Sequence, residues 1–348
     1  MITPFQVLPS AADSGVDRYV GIWFGLIVLM AVSIAPSFAG STAVVSESMA
    51  LYPKRTLRLI VPSPPGGPSD FAARLLAPSL SEYLKQNVVV DNRQSVNGLI
   101  ACELLAKAPA DGLTLGIGNN GTHVINGGLY RHLPYDPIRD FSPVSQLISS
   151  GSALAGSLRF TPNNLKELVA LAKSRPGKVN VAVAGANGLV GTEILKQALG
   201  IDLNSVPYKG STPAELAVIS GEVDVVQLSI PVVAMHYKAG KIKVFGIMSA
   251  KRSILLPEAA TLKEQGIVGY EASGNWHGLF VPAKTPSAIV QRLYREVVKV
   301  FEAPEIKQKV INRGSDLIVN SPEVFAIQLK QDIPRFLKIM QDAGIPAQ

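Results

Sequence analysis

The chain has 348 residues, of which 47% are hydrophobic and 17% charged, and its formal net charge is +7. This length suffices for about two domains, and the hydrophobic content excludes a disordered chain. The basic residues are scattered and only 6% of the residues are aromatic, which argues against nucleic-acid binding because that function uses clustered cations and stacking platforms. A diffuse positive field of this kind favours anionic solutes.

The composition also argues against metal, disulfide and acid/base chemistry. Cys102 is the single cysteine, so an intramolecular disulfide cannot form, and no Cys/His cluster has metal-ligand spacing. The sequence has no G-x-S-x-G nucleophile elbow and no H-E-x-x-H motif. We therefore expect no cofactor, and we expect that the protein is not an enzyme.

The N-terminus contains an uncharged apolar stretch, Val20–Ala35, which Arg18 precedes. Its length is typical of a secretory h-region and short for a membrane span of about 20 residues. Ser37–Ala39 and Ser48–Ala50 supply the small residues of a cleavage site. We predict that residues 1–50 form a signal peptide and leader and that the mature protein is periplasmic. The alternative is an uncleaved anchor, which also leaves the rest of the chain outside the cytoplasm.

Strands and helices are predicted to alternate from Leu57 onward, because period-two and helical apolar patterns follow each other. The first set comprises strand Leu57–Val61, helix Ser69–Gln86, strand Asn87–Val90, helix Gly98–Ala106 and strand Thr114–Ile117. This order indicates an α/β fold with a parallel, doubly wound sheet and right-handed crossovers.

A second set of elements predicts a second α/β domain. It comprises helix Asn164–Lys173, strand Val179–Ala184, helix Val190–Leu199, helix Ala214–Ser220, strand Val223–Leu228 and strand Lys243–Ser249. A return segment, Gly278–Val281, and helices Ser287–Glu302 and Pro322–Ala343 close the chain. We therefore predict lobe one over residues 51–150 and 276–348 and lobe two over 151–275. Ligands of open α/β sheets bind at the carboxyl ends of strands, so a cleft between the lobes is expected.

The loop VPSPPGGPSD at Val61–Asp70 follows the first predicted strand. Gly66 and Gly67 allow close backbone approach to a ligand, and Ser69 or Asp70 can N-cap the next helix. Free N–H groups at such a helix start form an anion site. The loop is not a P-loop because no Gly-Lys-Ser/Thr ends it. The alternative is a purely structural turn with a capped helix.

Two further segments follow predicted strands. The Gly185–Gly188 turn repeats the same arrangement in the second domain, and Gly118–His123 offers amide and hydroxyl groups that can bind a carboxylate. His123 is interpreted as a surface histidine, or one that supports the site without touching the ligand, rather than a catalytic base. Lys209 either complements an anion or is solvated, and Trp276 either forms a cleft wall or packs in the interior.

Ordered motifs across about 300 residues resemble one family. They include YPKRTLRLIVPSPPGGPSD, VVVDNR, AKAPADGLTLGIGNNGTH, LPYDPIRDFSPVS, VPYKGSTPAELAVISGEVDV and WHGLFVPAKTP. From about Tyr52 to its C-terminus, the chain resembles the substrate-binding proteins of tripartite tricarboxylate transporters, also called the Bordetella uptake (Bug) receptors. The resemblance implies a class II periplasmic binding protein, a Venus flytrap with two doubly wound α/β lobes, a hinge and an interlobe cleft.

In that family, backbone amides and water hold the carboxylates of small organic acids. The resemblance assigns ligand contacts to Pro64, Pro65, Gly66, Gly67, Pro68, Ser69 and Asp70 in the first loop, to Asn119, Gly121, Thr122 and His123 after the third strand, and to Ala184, Gly185, Ala186, Asn187, Gly188, Tyr208 and Ser229 in lobe two.

The chain departs from the family pattern within these segments. The prolines of the first loop lack N–H donors, so Gly66, Gly67, Ser69 and Asp70 are the expected donors. The lobe-two turn lacks the family's serines and histidine, and Gln227 and Ser229 stand where an aromatic residue and an asparagine are common. Since these changes fall at the ligand, they leave the ligand's identity open and the fold unaffected.

Three functions fit these observations. The leading hypothesis is a monomeric receptor that captures a mono- or dicarboxylate, such as an organic acid or acidic amino acid, and delivers it to membrane transporter subunits. The second is a sensor module whose closed form docks onto a signalling protein. The third is an extracytoplasmic enzyme on the same fold, for which Asp70 and His123 are the one acid/base pair available.

Overall fold

The computed structural model describes residues 52–249, 251–267 and 275–347, without the side chains of 185–187. The predicted signal peptide and leader lie outside these residues. The described strands are β1 (Leu57–Val61), β2 (Val88–Asn92), β3 (Thr114–Asn119), β4 (Phe141–Ser150), β5 (Ser152–Ser157), β6 (Asn180–Ala184), β7 (Asn204–Tyr208), β8 (Val225–Ser229), β9 (Ile242–Ile247), β10 (Asn275–Pro282) and β11 (Ser315–Leu317). The described helices are α1 (Pro68–Leu84), α2 (Leu99–Ala106), α3 (Asn126–Leu129), α4 (Leu165–Ser174), α5 (Gly185–Leu199), α6 (Ser211–Ser220), α7 (Ile230–Lys238), α8 (Ser287–Glu302), α9 (Pro304–Asn312) and α10 (Pro322–Asp342). None of these helices combines the length and apolar character needed to cross a bilayer.

The strands form two mixed sheets. Sheet one has the order β11-β4-β10-β3-β1-β2, and sheet two has the order β7-β6-β8-β5-β9. The predicted parallel pairing is confirmed for β1 with β2 and β3, and for β6 with β7 and β8. Each sheet also contains antiparallel strands that the sequence did not predict, because β10 runs antiparallel to β3 and β4, and β5 runs antiparallel to β8 and β9.

The antiparallel strands connect the two sheets. The chain leaves sheet one at the end of β4 and enters sheet two at β5, with Gly151 alone between them. A Cβ at Gly151 would lie 2.5 Å from Ile230 Cδ1 and 2.9 Å from the Gly314 carbonyl oxygen, so the close passage of three chain segments requires glycine here. Sheet one takes its strands from residues 57–150 and 275–317, and sheet two from 152–247. The predicted residue boundaries of the lobes stay a prediction.

Helix α1 shows how the local sequence positions a helix start. Its first residue is Pro68, whose missing N–H costs nothing at that position, and Gly67 is the N-cap residue without a side-chain cap. The expectation that Ser69 or Asp70 would be the N-cap was therefore wrong by two or three residues. Leu76 and Leu80, one turn apart, are fully buried and hold the helix against sheet one.

An aromatic core supports the end of sheet one nearest to sheet two. Trp276 and Phe280 on β10 pack against Phe325 of α10 with ring centroids 5.1 Å away in each case. Trp276 is 2% exposed, so of the two alternatives for this residue the packed one is confirmed. Helix α10 packs on β4 and also on α5, and the C-terminal helix thus joins elements of both sheets.

Candidate ligand-binding site

A cleft of about 390 Å³ lies between the two sheets. Its walls bring together the start of α1, the crossing from β4 to β5, and the starts of α5, α6 and α7. The residues that line it include Pro68, Asn120, Ser150, Gly151, Ser152, Ala184, Gly188, Gly191, Ser211, Glu215, Gln227, Ser229 and Asn275. Pro68, Ala184, Gly188 and Ser229 of this set were assigned to the ligand from the sequence.

The Asp70 carboxylate organises the first loop from within. Its Oδ2 accepts hydrogen bonds from the Gly66 N–H at 2.8 Å and from Arg74 Nε at 2.9 Å, and its Oδ1 accepts one from Asn92 Nδ2 at 2.9 Å. Burial by itself would raise the pKa of Asp70, but the bonds from Arg74, Gly66 and Asn92 outweigh it and lower the pKa below its usual value. Gly66, at φ +88°, is thus held in place by the helix that follows it.

These bonds change which amides of the first loop face a ligand. The Gly66 N–H, an expected ligand donor, donates to Asp70 in this structure. Ser69 and Asp70 occupy the second and third positions of α1, where backbone N–H groups have no acceptor within the helix. Pro64, Pro65 and Pro68 have no N–H to offer. The Gly67 N–H donates to the Pro64 carbonyl oxygen at 3.4 Å. Of the four expected donors, the N–H groups of Ser69 and Asp70 are therefore the two left for a ligand.

A buried histidine that the sequence reading did not assign lies behind this helix start. His277 Nδ1 is 3.0 Å from Ser69 Oγ, and its Nε2 is 3.3 Å from Ser150 Oγ. Burial lowers the pKa of His277 to about 4, so the neutral ring donates through one nitrogen and accepts through the other. His277 thereby ties the start of α1 to the end of β4, where the chain crosses to sheet two.

The segment after β3 forms a helical turn rather than the expected loop. The Thr122 N–H donates to Asn119 Oδ1 at 3.0 Å and the Asn119 N–H donates to Thr122 Oγ1 at 2.9 Å, and a single π-helical turn spans Gly121–Ile125. Asn119 Nδ2 also donates to Ser69 Oγ at 3.3 Å, so both side chains are occupied with neighbouring protein groups. The neighbouring Asn120 belongs to the predicted Gly118–His123 segment but was not assigned a ligand contact individually, and it is the residue of that segment that lines the cleft.

His123 is an interior residue, so of its two predicted positions the surface one was wrong and the supporting one remains. It is 1% exposed and stacks on Phe280 with ring centroids 4.0 Å apart. Burial lowers the pKa of His123 to about 3, and its Nδ1 lies 2.9 Å from Thr122 Oγ1. The acid/base pair considered for an enzyme does not form, because Asp70 and His123 bind different partners.

In sheet two, the predicted Gly185–Gly188 turn is helical. Helix α5 begins at Gly185 directly after Ala184, so these residues form its first turn and the expectation of a glycine turn was wrong. The helix starts five residues before the predicted Val190, because the low helix propensity of the glycines is a weak guide that tertiary context overrides. The cleft thus receives the starts of α5, of α6 at Ser211 and of α7 after Ser229, each with the positive end of a helix dipole.

Two polar side chains of lobe two, one on a strand and one on a helix, hydrogen-bond to residues of other elements. Tyr208, at the end of the edge strand β7, donates its hydroxyl to Glu222 Oε1 at 2.7 Å, and this bond raises the pKa of Tyr208 to about 12. Glu215 of α6 lines the cleft and pairs through Oε1 with Nε2 of His236 on α7. No sequence signal pointed to this pair, because the two residues belong to different helices. No group of three metal-binding side chains occurs within the described ranges.

Two α/β lobes joined by crossing strands, with helix starts at a shared cleft, define a two-lobed binding protein. A family model described as "Tripartite tricarboxylate transporter family receptor" matches residues 72–345. The chain therefore belongs to the receptor family of tripartite tricarboxylate transporters, which confirms the resemblance seen in the sequence. The family and its fold are those of solute-binding receptors and not of enzymes.

Related proteins cover nearly the whole chain. Protein BugT of Bordetella pertussis is 30% identical over 320 residues, which are 91% of this chain and 97% of BugT. A structure from R. palustris solved with adipate has a TM-score of 0.71 at 32% identity and covers 85% of this chain and 100% of its own. MatC from Rhodopseudomonas palustris with bound malate has a TM-score of 0.67 at 30% identity and covers 83% and 99%. These structures confirm the predicted class II, two-lobed fold.

Proposed function

We propose that the protein is an exported receptor that captures a small carboxylate, either an organic acid or an acidic amino acid, and delivers it to a tripartite tricarboxylate-type membrane transporter. The observation that carries the proposal is the cleft of about 390 Å³ at which four helix starts meet. Helix starts combine unpaired N–H groups with partial positive charge, and both suit a carboxylate.

One carboxylate of the ligand is assigned to the start of α1. There the N–H groups of Ser69 and Asp70 are available, and Asn120 adds an amide side chain at the cleft wall. The Arg74 guanidinium offsets the charge of the Asp70 carboxylate, and Gly66 and Asn92 hold that carboxylate by hydrogen bonds, so its repulsion of a ligand carboxylate is reduced. The adipate and malate of the two related structures support a carboxylate ligand.

Closure of the lobes is the event that a transporter would recognise. A ligand that contacts both walls favours the closed arrangement by its differential affinity for it, and Gly151, the one residue between β4 and β5, is a proposed hinge point. The two lobes proposed to move against each other are lobe one, which comprises residues 51–150 and 276–348, and lobe two, which comprises residues 151–275. Residues 1–50 are proposed to direct export to the periplasm, where a monomer performs this role.

Calorimetric titration of the dialysed protein with adipate, malate and glutamate tests the proposal. We expect at least one of these acids to bind, and Asn120→Ala to weaken that binding about tenfold, because a hydrogen bond to a charged group contributes about 1.5–3 kcal/mol. Asn312→Ala, on the exposed surface of α9, is the matched control and should leave the affinity unchanged. Failure of every carboxylate to bind would rule the proposal out.

A further inference from the structure

The lobe-two wall of the cleft carries a negative charge of its own. Glu215 is the residue with an ionisable side chain among the described residues that line the cleft. Its side chain is 19% exposed, and it lies one turn after Ser211, which is also at the cleft wall. A charged group at this position contributes directly to what the cleft accepts.

His236 holds the Glu215 carboxylate in place. The imidazole Nε2 pairs with Oε1 of Glu215 from the adjacent helix α7, and His236 itself is 9% exposed. The ring therefore restricts the rotamers of Glu215 from the protein side while the carboxylate retains contact with the cleft. Because this pair joins two helices of the same lobe, the carboxylate stays at the wall whatever the position of lobe one.

This side chain offsets much of the positive charge that the helix starts of lobe two bring to the cleft. Each of the three starts carries about half an elementary positive charge, and the Glu215 carboxylate supplies a full negative charge to the same wall, which offsets about two of them. Two carboxylates that share a site disfavour each other's ionised forms. A second carboxylate of a ligand would therefore lie near a like charge, with no lysine or arginine among the described lining residues to offset it.

We infer that Glu215 selects ligands whose second end donates hydrogen bonds or is cationic, so that the preferred class is an amino-carboxylate rather than a dicarboxylate. This inference rests on the proposed function, because it takes one ligand carboxylate to lie at the start of α1. The ligand's ammonium group then meets the Glu215 carboxylate at the opposite wall.

Matched ligand pairs test the inference by titration calorimetry on the full chain. The pairs are ε-aminocaproate with adipate, and γ-aminobutyrate with succinate, and each pair shares its chain length and one carboxylate. In the pair that binds more tightly, we expect the affinity for the amino acid to exceed that for the dicarboxylate at least about tenfold, because the dicarboxylate places a like charge next to Glu215. Glu215→Gln keeps the size of the side chain and removes its charge. It should weaken binding of the amino acid and strengthen binding of the dicarboxylate, so that the ratio of the two affinities falls at least about tenfold.

Glu222→Gln is the matched control. Glu222 belongs to the same lobe and accepts a hydrogen bond from Tyr208 at the exposed edge of sheet two. Glu222→Gln therefore changes the net charge by the same amount as Glu215→Gln and should leave the ratio of amino-acid to dicarboxylate affinity unchanged. Dicarboxylates that bind the wild-type protein as tightly as their amino partners would overturn the inference and leave the proposed function standing. Absence of binding by all four acids would overturn the inference, and the proposed function would then be decided by the malate and glutamate titrations. The wild-type comparison decides the matter even if Glu215→Gln does not fold.

Discussion

Replacing Asp70 by asparagine tests how the first loop is held. The substitution keeps the shape of the side chain and removes its charge and one of its two acceptor oxygens. In the wild-type protein three donors converge on the carboxylate, at 2.8, 2.9 and 2.9 Å. An asparagine oxygen can serve either the Gly66 and Arg74 donors or the Asn92 donor, but its NH₂ group must then face the remaining one.

The expected cost follows from that count of bonds. At least one bond to a charged acceptor is lost, and such bonds contribute about 1.5–3 kcal/mol each. The Asp70 side chain is only 3% exposed, so water does not replace the lost donors' partner. We expect Asp70→Asn to lower the free energy of unfolding by about 2 kcal/mol and to weaken carboxylate binding, because the released Gly66 loop precedes the N–H groups of Ser69 and Asp70.

Urea unfolding at several pH values is the assay. The pKa of Asp70 is lowered in the folded protein, so its stabilisation is complete above the unfolded value of about 3.9 and is lost as the pH falls through the folded pKa. The difference in the free energy of unfolding between wild type and Asp70→Asn should therefore be constant from neutral pH down to about pH 5 and shrink below about pH 4.

Asp91 provides a matched control on the same sheet. It also pairs with two arginines, but its side chain is 22% exposed, and exposed ion pairs contribute at most about 1 kcal/mol. Asp91→Asn should therefore cost less than Asp70→Asn. Equal costs for the two variants, or a difference at Asp70 that does not depend on pH, would refute the assignment of the loop's stability to Asp70.

Three other predictions concern the core, the crossing and the buried histidines. Replacing Phe280, a fully buried ring, with alanine should cost about 3–5 kcal/mol in urea unfolding, and a cost below about 1 kcal/mol would contradict its packing. Gly151→Ala should lower the melting temperature and ligand affinity, because its Cβ would meet a backbone oxygen at 2.9 Å, whereas Gly127→Ala, with nothing within 4 Å, should change neither. Burial holds the pKa of His277 at about 4, below the unfolded value of about 6.5, so the unfolded chain binds more protons between these values and stability should fall as the pH drops from about 6.5 to 4. His277→Gln should reduce that pH dependence, and the same change at the exposed His132 should not; equal slopes in all three proteins would contradict the buried position of His277.

The fold was largely predictable because it follows from patterns within short windows. Strand Leu57–Val61 and helix Ser287–Glu302 have the predicted bounds, since apolar periodicity is a local property. Strands β4 and β5 escaped prediction, and β10 appeared as the shorter segment Gly278–Val281. Strand β4 contains Pro143 and several polar residues, and its strand conformation depends on pairing with β10 and β11.

The candidate site was predictable in position and not in its contacts. The glycine-rich segment after β1 was correctly placed at the end of a strand, but a turn signal does not reveal that the Gly66 N–H donates to Asp70. The glycines at 185 and 188 indicated a turn where a helix begins, because local propensity is a weak guide once tertiary packing holds the helix. Asn119 and Asn120 are equivalent in sequence, and the direction of the backbone after β3 decided which of them lines the cleft.

The sequence by itself determined the alternation of strands and helices, the glycine-rich segment at the end of the first strand and the family motifs, because each depends on residues close together in the chain. The tertiary structure decided which polar groups meet. Ser69 and His277 are 208 positions apart, and Glu215 and His236 are 21 apart on separate helices. Hydrogen bonding requires approach to within about 3 Å, and only the packing of the elements brings such distant residues that close.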